Sequence, residues 1–157
     1  MCDVAVWCGT DRAACEKRCA GFQRFVTADV VEAMASCVDR PRGPTCDDEA
    51  RGRVDVCVKR SLEARETSAG VHIGLFARAW CEGAAACGPT ALSRCVDDAV
   101  AEIRATAGPT TAGLYGAFRP EIVESVVACL KGPCADRKPS AGEGLGRCLD
   151  VVLGEGA

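Results

Sequence analysis

DVVEAMASCV (residues 29–38) and EIVESVVACL (residues 121–130) align without a gap. Only Val31/Val123, Glu32/Glu124 and Cys37/Cys129 are identical, but apolar positions correspond throughout both windows. Their three- and four-residue spacing is that of one buried helix face: Val30, Val31, Met34, Ala35 and Val38 in the first, Ile122, Val123, Val126, Val127 and Leu130 in the second. Each window carries the fourth cysteine of a set of six. The first set is Cys8, Cys15, Cys19, Cys37, Cys46 and Cys57; the second is Cys81, Cys87, Cys95, Cys129, Cys134 and Cys148. Each set opens with Trp-Cys, at Trp7-Cys8 and Trp80-Cys81. The pattern predicts a duplicated six-cysteine helical unit.

Working outward from the second window, Pro120 suits the first turn of its helix, where a missing N–H costs nothing, and Glu121 suits the same positive end. Upstream, Ile73, Phe76, Ala77, Trp80, Ala84 and Cys87 share a face, predicting a helix over 71–87 that Gly88-Pro89 ends. A second helix is expected from Thr90 or Ser93 to Ala107, stopped by Gly108-Pro109 and followed by an irregular stretch over 108–117. Downstream, Gly132-Pro133 ends the third helix, and a fourth over 143–153 presents Leu145, Cys148, Leu149 and Val152, with Gly144 and Gly146 weakening its start. The first half repeats the scheme in shortened form: a stub at 4–15, a segment from Cys15 onward, a helix over 28–38 and another over 47–64. Alternating strand patterns are nearly absent. The expected fold is all-α: two tandem disulfide-stapled modules packed together, 1–64 and 71–157, joined by 65–70.

Thirteen cysteines in 157 residues, about 8%, lie at the edge of the range where a disulfide framework is the default reading. That default implies an oxidising compartment. Six cysteines allow 15 pairings per module. Cys87 and Cys95 flank Gly88-Pro89 and are expected to close that turn, as Cys15 and Cys19 would in the shorter copy; the other four of each set would then link the first, third and fourth helices and the turn. The rival reading is a thiolate site for Cu(I) or Zn. It meets only one Cys-x3-Cys step, Cys15/Cys19, no Cys-x2-Cys and a single histidine, so no metal or cofactor is expected. A third reading, a saposin-like lipid-binding module, also uses six cysteines but needs terminal Cys-x2-Cys pairs that are missing here.

Cys2 has no counterpart in either set. It is a lipid-anchor position if the chain is an exported bacterial protein, or an odd thiol, free or bridging between chains. It precedes Cys8 by only six positions, which leaves almost no tether.

No enzyme motif stands out. His72 is the only histidine and is read as a half-exposed helix-terminal residue. Asp47-Asp48-Glu49 and Asp97-Asp98 fall in expected first helical turns, where negative charge is favoured without any catalytic role. Gly142, Gly144 and Gly146 lack the strand and lysine of a phosphate loop. Trp7 and Trp80 are read as core residues beside a disulfide. The net charge is -3 with no basic run longer than two residues, which gives no reason to expect nucleic acid. No apolar stretch approaches the roughly 20 residues of a spanning helix, so membrane contact is expected only if Cys2 is lipidated. Asn is absent, which excludes N-glycosylation. An exported chain of this sequence would have had its signal peptide removed.

The run Trp80-Cys81 to Cys87-Gly88, Cys95, then Tyr115 to Arg119-Pro120-Glu121 leading to Cys129-Leu130, with Cys134 soon after, resembles small cysteine-rich exported proteins and lipoproteins of myxobacteria and their relatives. The resemblance covers most of the second module and, more weakly, the first. It implies an extracytoplasmic location, periplasmic, cell-surface or secreted, and helical disulfide-bonded repeats. It implies no activity. The expected role is therefore a non-enzymatic structural or protein-interaction module with an unidentified protein or cell-surface partner.

Overall fold

The structure, a computed structural model, describes residues 11–38, 48–88, 92–132 and 140–154. Among these, every regular element is a helix: α1 (Arg12–Phe25), α2 (Ala28–Val38), α3 (Asp48–Glu63), α4 (Glu66–Cys87), α5 (Leu92–Ala117), α6 (Pro120–Leu130) and α7 (Ala141–Gly154). The two windows quoted above are the bodies of α2 and α6. Pro120 sits at the start of α6 as its missing N–H requires. Residues 4–10 of the expected N-terminal stub lie outside the described residues; Asp11 precedes α1, and residues 12–15 belong to it.

Three expectations about boundaries are corrected. Helix α4 begins at Glu66, so residues 66–70 are helical and the link after α3 is the turn at Ala64-Arg65. Gly108 interrupts α5 as the Gly-Pro pair predicts, with φ 66 and ψ 170, but the stretch after it is not irregular: helix resumes at Pro109 and runs to Ala117. That positive φ is cheap only for glycine, and Pro109 takes a first-turn position of the resumed segment. Packing outweighs the weak helix propensity of the 109–117 stretch. A Cβ on Gly113 would stand 2.6 Å from the carbonyl carbon of Leu62, and one on Gly116 would stand 2.5 Å from the backbone nitrogen of Ala69. Only glycine lets α5 approach the end of α3 and the start of α4 this closely. Finally, α7 starts two residues early, at Ala141. Gly144 is needed there, since its Cβ would lie 2.5 Å from Cζ3 of Trp80.

Helices α4 to α7 enclose the larger core, built around Ile73, Phe76, Ile103, Phe118, Val126 and Leu145. A smaller cluster, Val26, Val30, Met34, Leu62 and Ala117, joins α2 and α3 to the end of α5. Aromatic rings run through the main core: Phe76 meets Tyr115 edge-on at 6.1 Å, and Tyr115 lies 5.9 Å from Phe118. With few large side chains, close helix approach supplies the density that bulk would otherwise provide.

The two quoted windows touch just before their helices begin. Val26 and Phe118 form an isolated antiparallel bridge. Thr27 N–H donates to the Ala117 carbonyl at 2.9 Å, and Arg119 N–H donates to the Phe25 carbonyl at 2.9 Å. Each helix then opens alike: the Thr27 carbonyl accepts from Val30 and Val31, and the Arg119 carbonyl from Ile122 and Val123. The Arg119 guanidinium donates to the Val26 carbonyl at 2.9 Å, and Arg65 pairs with Asp29, so charged side chains brace the junction from both sides.

Candidate functional site

The twelve paired-set cysteines are the main site predicted from sequence, and six of them form three described disulfides. Cys37–Cys57 joins α2 to α3, Cys81–Cys95 joins α4 to α5, and Cys129–Cys148 joins α6 to α7, with Cα–Cα distances of 5.6, 5.9 and 5.7 Å. Each staples two consecutive helices. The expected Cys87–Cys95 bridge is overturned, because Cys95 bonds Cys81. Six residues at 100° each put Cys81 and Cys87 about 240° apart around α4, so they cannot face the same neighbour. Cys81 is fully buried toward α5, whereas Cys87 is exposed and disulfide-bonded to a cysteine other than Cys95. Cys15 and Cys19 lie in α1; Cys2, Cys8, Cys46 and Cys134, like Trp7, lie outside the described residues. Trp80 is partly buried and packs against the main core, its ring lying over Gly144 of α7.

His72 is in the second turn of α4, not at its end. It is half-buried, and its Nδ1 is 2.6 Å from the Tyr115 carbonyl. A carbonyl can only accept, so Nδ1 carries the proton, and the ring ties α4 to the end of α5. Asp97 and Asp98 are also displaced from expectation: α5 begins at Leu92 and has no acidic residue in its first turn, so both are exposed positions one turn further on. Asp48 and Glu49 do open α3; Asp47 is outside the described residues. No group of three or more potential metal ligands occurs among the described residues.

Apart from pairs one turn apart within a helix, such as Arg78–Glu82 in α4, the electrostatic contacts that sequence reading missed are non-local. Glu102 on α5 accepts hydrogen bonds from the backbone N–H groups of Ala141 (3.2 Å) and Gly142 (3.0 Å), capping α7 from outside. The Ser140 hydroxyl, and then these N–H groups, hold its carboxyl below the usual range against an opposing effect of burial. A depressed carboxylate stabilises the fold fully above its unfolded value and loses that contribution as pH falls through the folded value. Glu102→Ala is accordingly expected to cost about 1 kcal/mol at pH 7. Urea melts at pH 7 and pH 3 check this: the gap from the parent protein should shrink at the lower pH, and an equal gap at both would show that the charge is not responsible. Glu82 is gripped by Lys131 at 2.8 Å and Arg78 at 2.9 Å, which lower its carboxyl in that order and tie α4 to the end of α6.

One concavity also lies outside the sequence reading. Where the end of α3, the start of α4 and the bend of α5 meet, a groove of about 530 Å³ opens between Glu63, Glu66 and Arg104, over Ala69, Ile73 and Ala112. The α5 bend at Gly108-Pro109 forms its edge.

No family model matches the chain, and neither a curated protein nor a solved structure matches it. Three disulfides across a helical core indicate an oxidising, extracytoplasmic setting. None of the described helices is long and apolar enough to cross a membrane.

Proposed function

We propose that this chain is a non-enzymatic structural or protein-interaction module of the cell envelope or extracellular space, built from two unequal copies of one helical unit and held by disulfides. The observation that carries the reading is the regular stapling of consecutive helices: α2 to α3 by Cys37–Cys57 and α6 to α7 by Cys129–Cys148, with the bonded cysteines at corresponding places in the two sets. The matched burial of α2 and α6, with Met34 and Val126 inside and Glu32 and Glu124 outside, supports common descent of the two units. Scaffolding accounts for these sulfurs without catalysis, and a disulfide sulfur is no longer the thiolate that a Cu(I) or Zn site needs. The spacing resemblance to exported myxobacterial proteins agrees with this compartment, and in such a protein Cys2 would serve as an anchor or an odd thiol.

Intact mass after alkylation tests the reading. In protein purified from its native compartment without reductant, the twelve paired-set cysteines should take up alkylating agent only after reduction. Twelve free thiols, or stoichiometric copper or zinc, would end it in favour of the metal reading.

A further inference from the structure

The groove at the α5 bend is lined by charges of both signs, Glu63, Glu66 and Arg104. Arg104 makes no ion pair with any described residue, although two carboxylates line the same groove. Its Nη2 would lie 3.5 Å from a Cβ on Gly70, an ordinary contact distance, so the guanidinium rests beside the backbone of α4 at that glycine. Glu66 is one turn earlier on the same face of α4, four residues before Gly70. Glu63 is shared with Lys59 at 3.8 Å, so the charges left for a ligand are Glu66 and Arg104, one of each sign. Between them the floor is apolar, from Ala69, Ile73 and Ala112.

We propose that this groove binds a small aliphatic zwitterion, a free α-amino acid or a dipeptide, with its carboxylate on Arg104, its ammonium on Glu66 and its side chain over Ala69 and Ala112. The chemistry follows from the lining: one exposed charge of each sign, Arg104 and Glu66, on either side of an apolar floor matches the two charged ends and the aliphatic side chain of such a ligand. A guanidinium fork suits a carboxylate in particular. A phosphate would meet the same fork but would place its second charge against Glu66 and Glu63, which disfavours it. The cavity volume lies in the ordinary range for small-ligand pockets, about 300 to 1,000 Å³, which leaves room for a dipeptide as well as a single residue. This inference goes beyond the scaffold reading and is independent of it: a protein with free cysteines would lose that reading and keep this one.

The test is titration of the oxidised full-length chain, followed by amide NMR shifts at Gly108 and Gly113. The probes are leucine, leucyl-leucine, N-acetylleucine, leucinamide and inorganic phosphate. Leucine or leucyl-leucine is expected to bind saturably, and which of the two binds more tightly identifies the ligand size. N-acetylleucine lacks the ammonium and leucinamide the carboxylate, so each should bind at least about tenfold more weakly, the loss of one charged hydrogen bond. Arg104→Gln and Glu66→Gln should each weaken leucine by a similar factor while far-UV circular dichroism shows the helical fold retained. Arg94→Gln, on the exposed start of α5, should leave binding as it was. The proposal is overturned if no zwitterion saturates the protein by about 10 mM, if the blocked compounds bind as well as leucine, or if phosphate binds in preference to it.

Discussion

Gly113→Ala is expected to lower stability by about 3 kcal/mol, while Gly74→Ala, the same change on a neighbouring helix, raises it by about 0.5 to 1 kcal/mol. Both glycines are helical, and an alanine would favour helix at either position. The difference is what the new methyl group meets. At Gly74 nothing lies within 4 Å, so only the gain in helix propensity remains. At Gly113 the methyl group would penetrate the last turn of α3, closest to the Leu62 carbonyl oxygen and 3.1 Å from its Cβ. Backbone cannot swing aside as a long side chain can, so α3 must separate from α5 and the Val26, Met34 and Leu62 cluster must open with it. Gly116→Ala should act in the same way against Arg65 and Ala69. Thermal melts read the result directly. For a chain of this length the loss at Gly113 corresponds to about 6 °C or more, and opposite signs at 74 and 113 are the expected signature. A Gly113→Ala protein as stable as the parent would mean that α3 and α5 do not approach as described.

The second large effect is expected on reduction. The described bridges span sequence separations of 20, 14 and 19 residues. In the chain-entropy account each such loop contributes about 3 kcal/mol at 25 °C, and together roughly as much as the whole net stability of an ordinary domain, about 5 to 15 kcal/mol. Reductant should therefore unfold most of the protein near 37 °C while the oxidised form stays folded. Single bridges can be separated by paired substitutions. Cys129→Ala with Cys148→Ala should cost about 3 kcal/mol. Cys81→Ala with Cys95→Ala opens a shorter loop but also removes a fully buried sulfur from the main core, so a similar or larger loss is expected. Far-UV circular dichroism in a denaturant series, with and without dithiothreitol, measures both, and coincident curves would remove the disulfides from any account of stability.

How far the sequence specified this structure depended on whether the deciding contact was local. Helices α2 and α6 were legible because their periodicity, the Pro120 start and the flanking breakers all lie within a few residues of one another. The start of α3 was legible for the same reason. The 109–117 segment was not: Gly, Thr and Ala residues after Gly-Pro favour a loop by themselves, and they become helical because Gly113 and Gly116 are pressed against backbone 47 to 51 residues earlier. Glycines that weaken a helix in isolation are required where two helices nearly touch, and no local pattern distinguishes the cases. The cysteine pairing failed for a related reason. Nearness in sequence favoured Cys87 with Cys95, but helical phase turned Cys87 outward and presented Cys81 instead. Glu102 gave no sequence signal, since the amides it caps lie 39 and 40 residues further along the chain. The groove was equally hidden, because its charges come from α3, α4 and α5 and meet only once the Gly108 bend has formed.

The short bridge between Val26 and Phe118 has a wider meaning. Moving Thr27 and Phe25 forward by the 92 residues that separate the two quoted windows gives Arg119 and Ala117, so its two hydrogen bonds exchange with each other. That is the geometry of an isologous contact, the kind two identical subunits make about a two-fold axis. Here both sides belong to one polypeptide, connected through the turn at Ala64-Arg65. Tethering makes the pairing unimolecular, with a fixed effective concentration in place of a bulk one. The contact thus has the form of a dimer interface that dilution cannot dissociate.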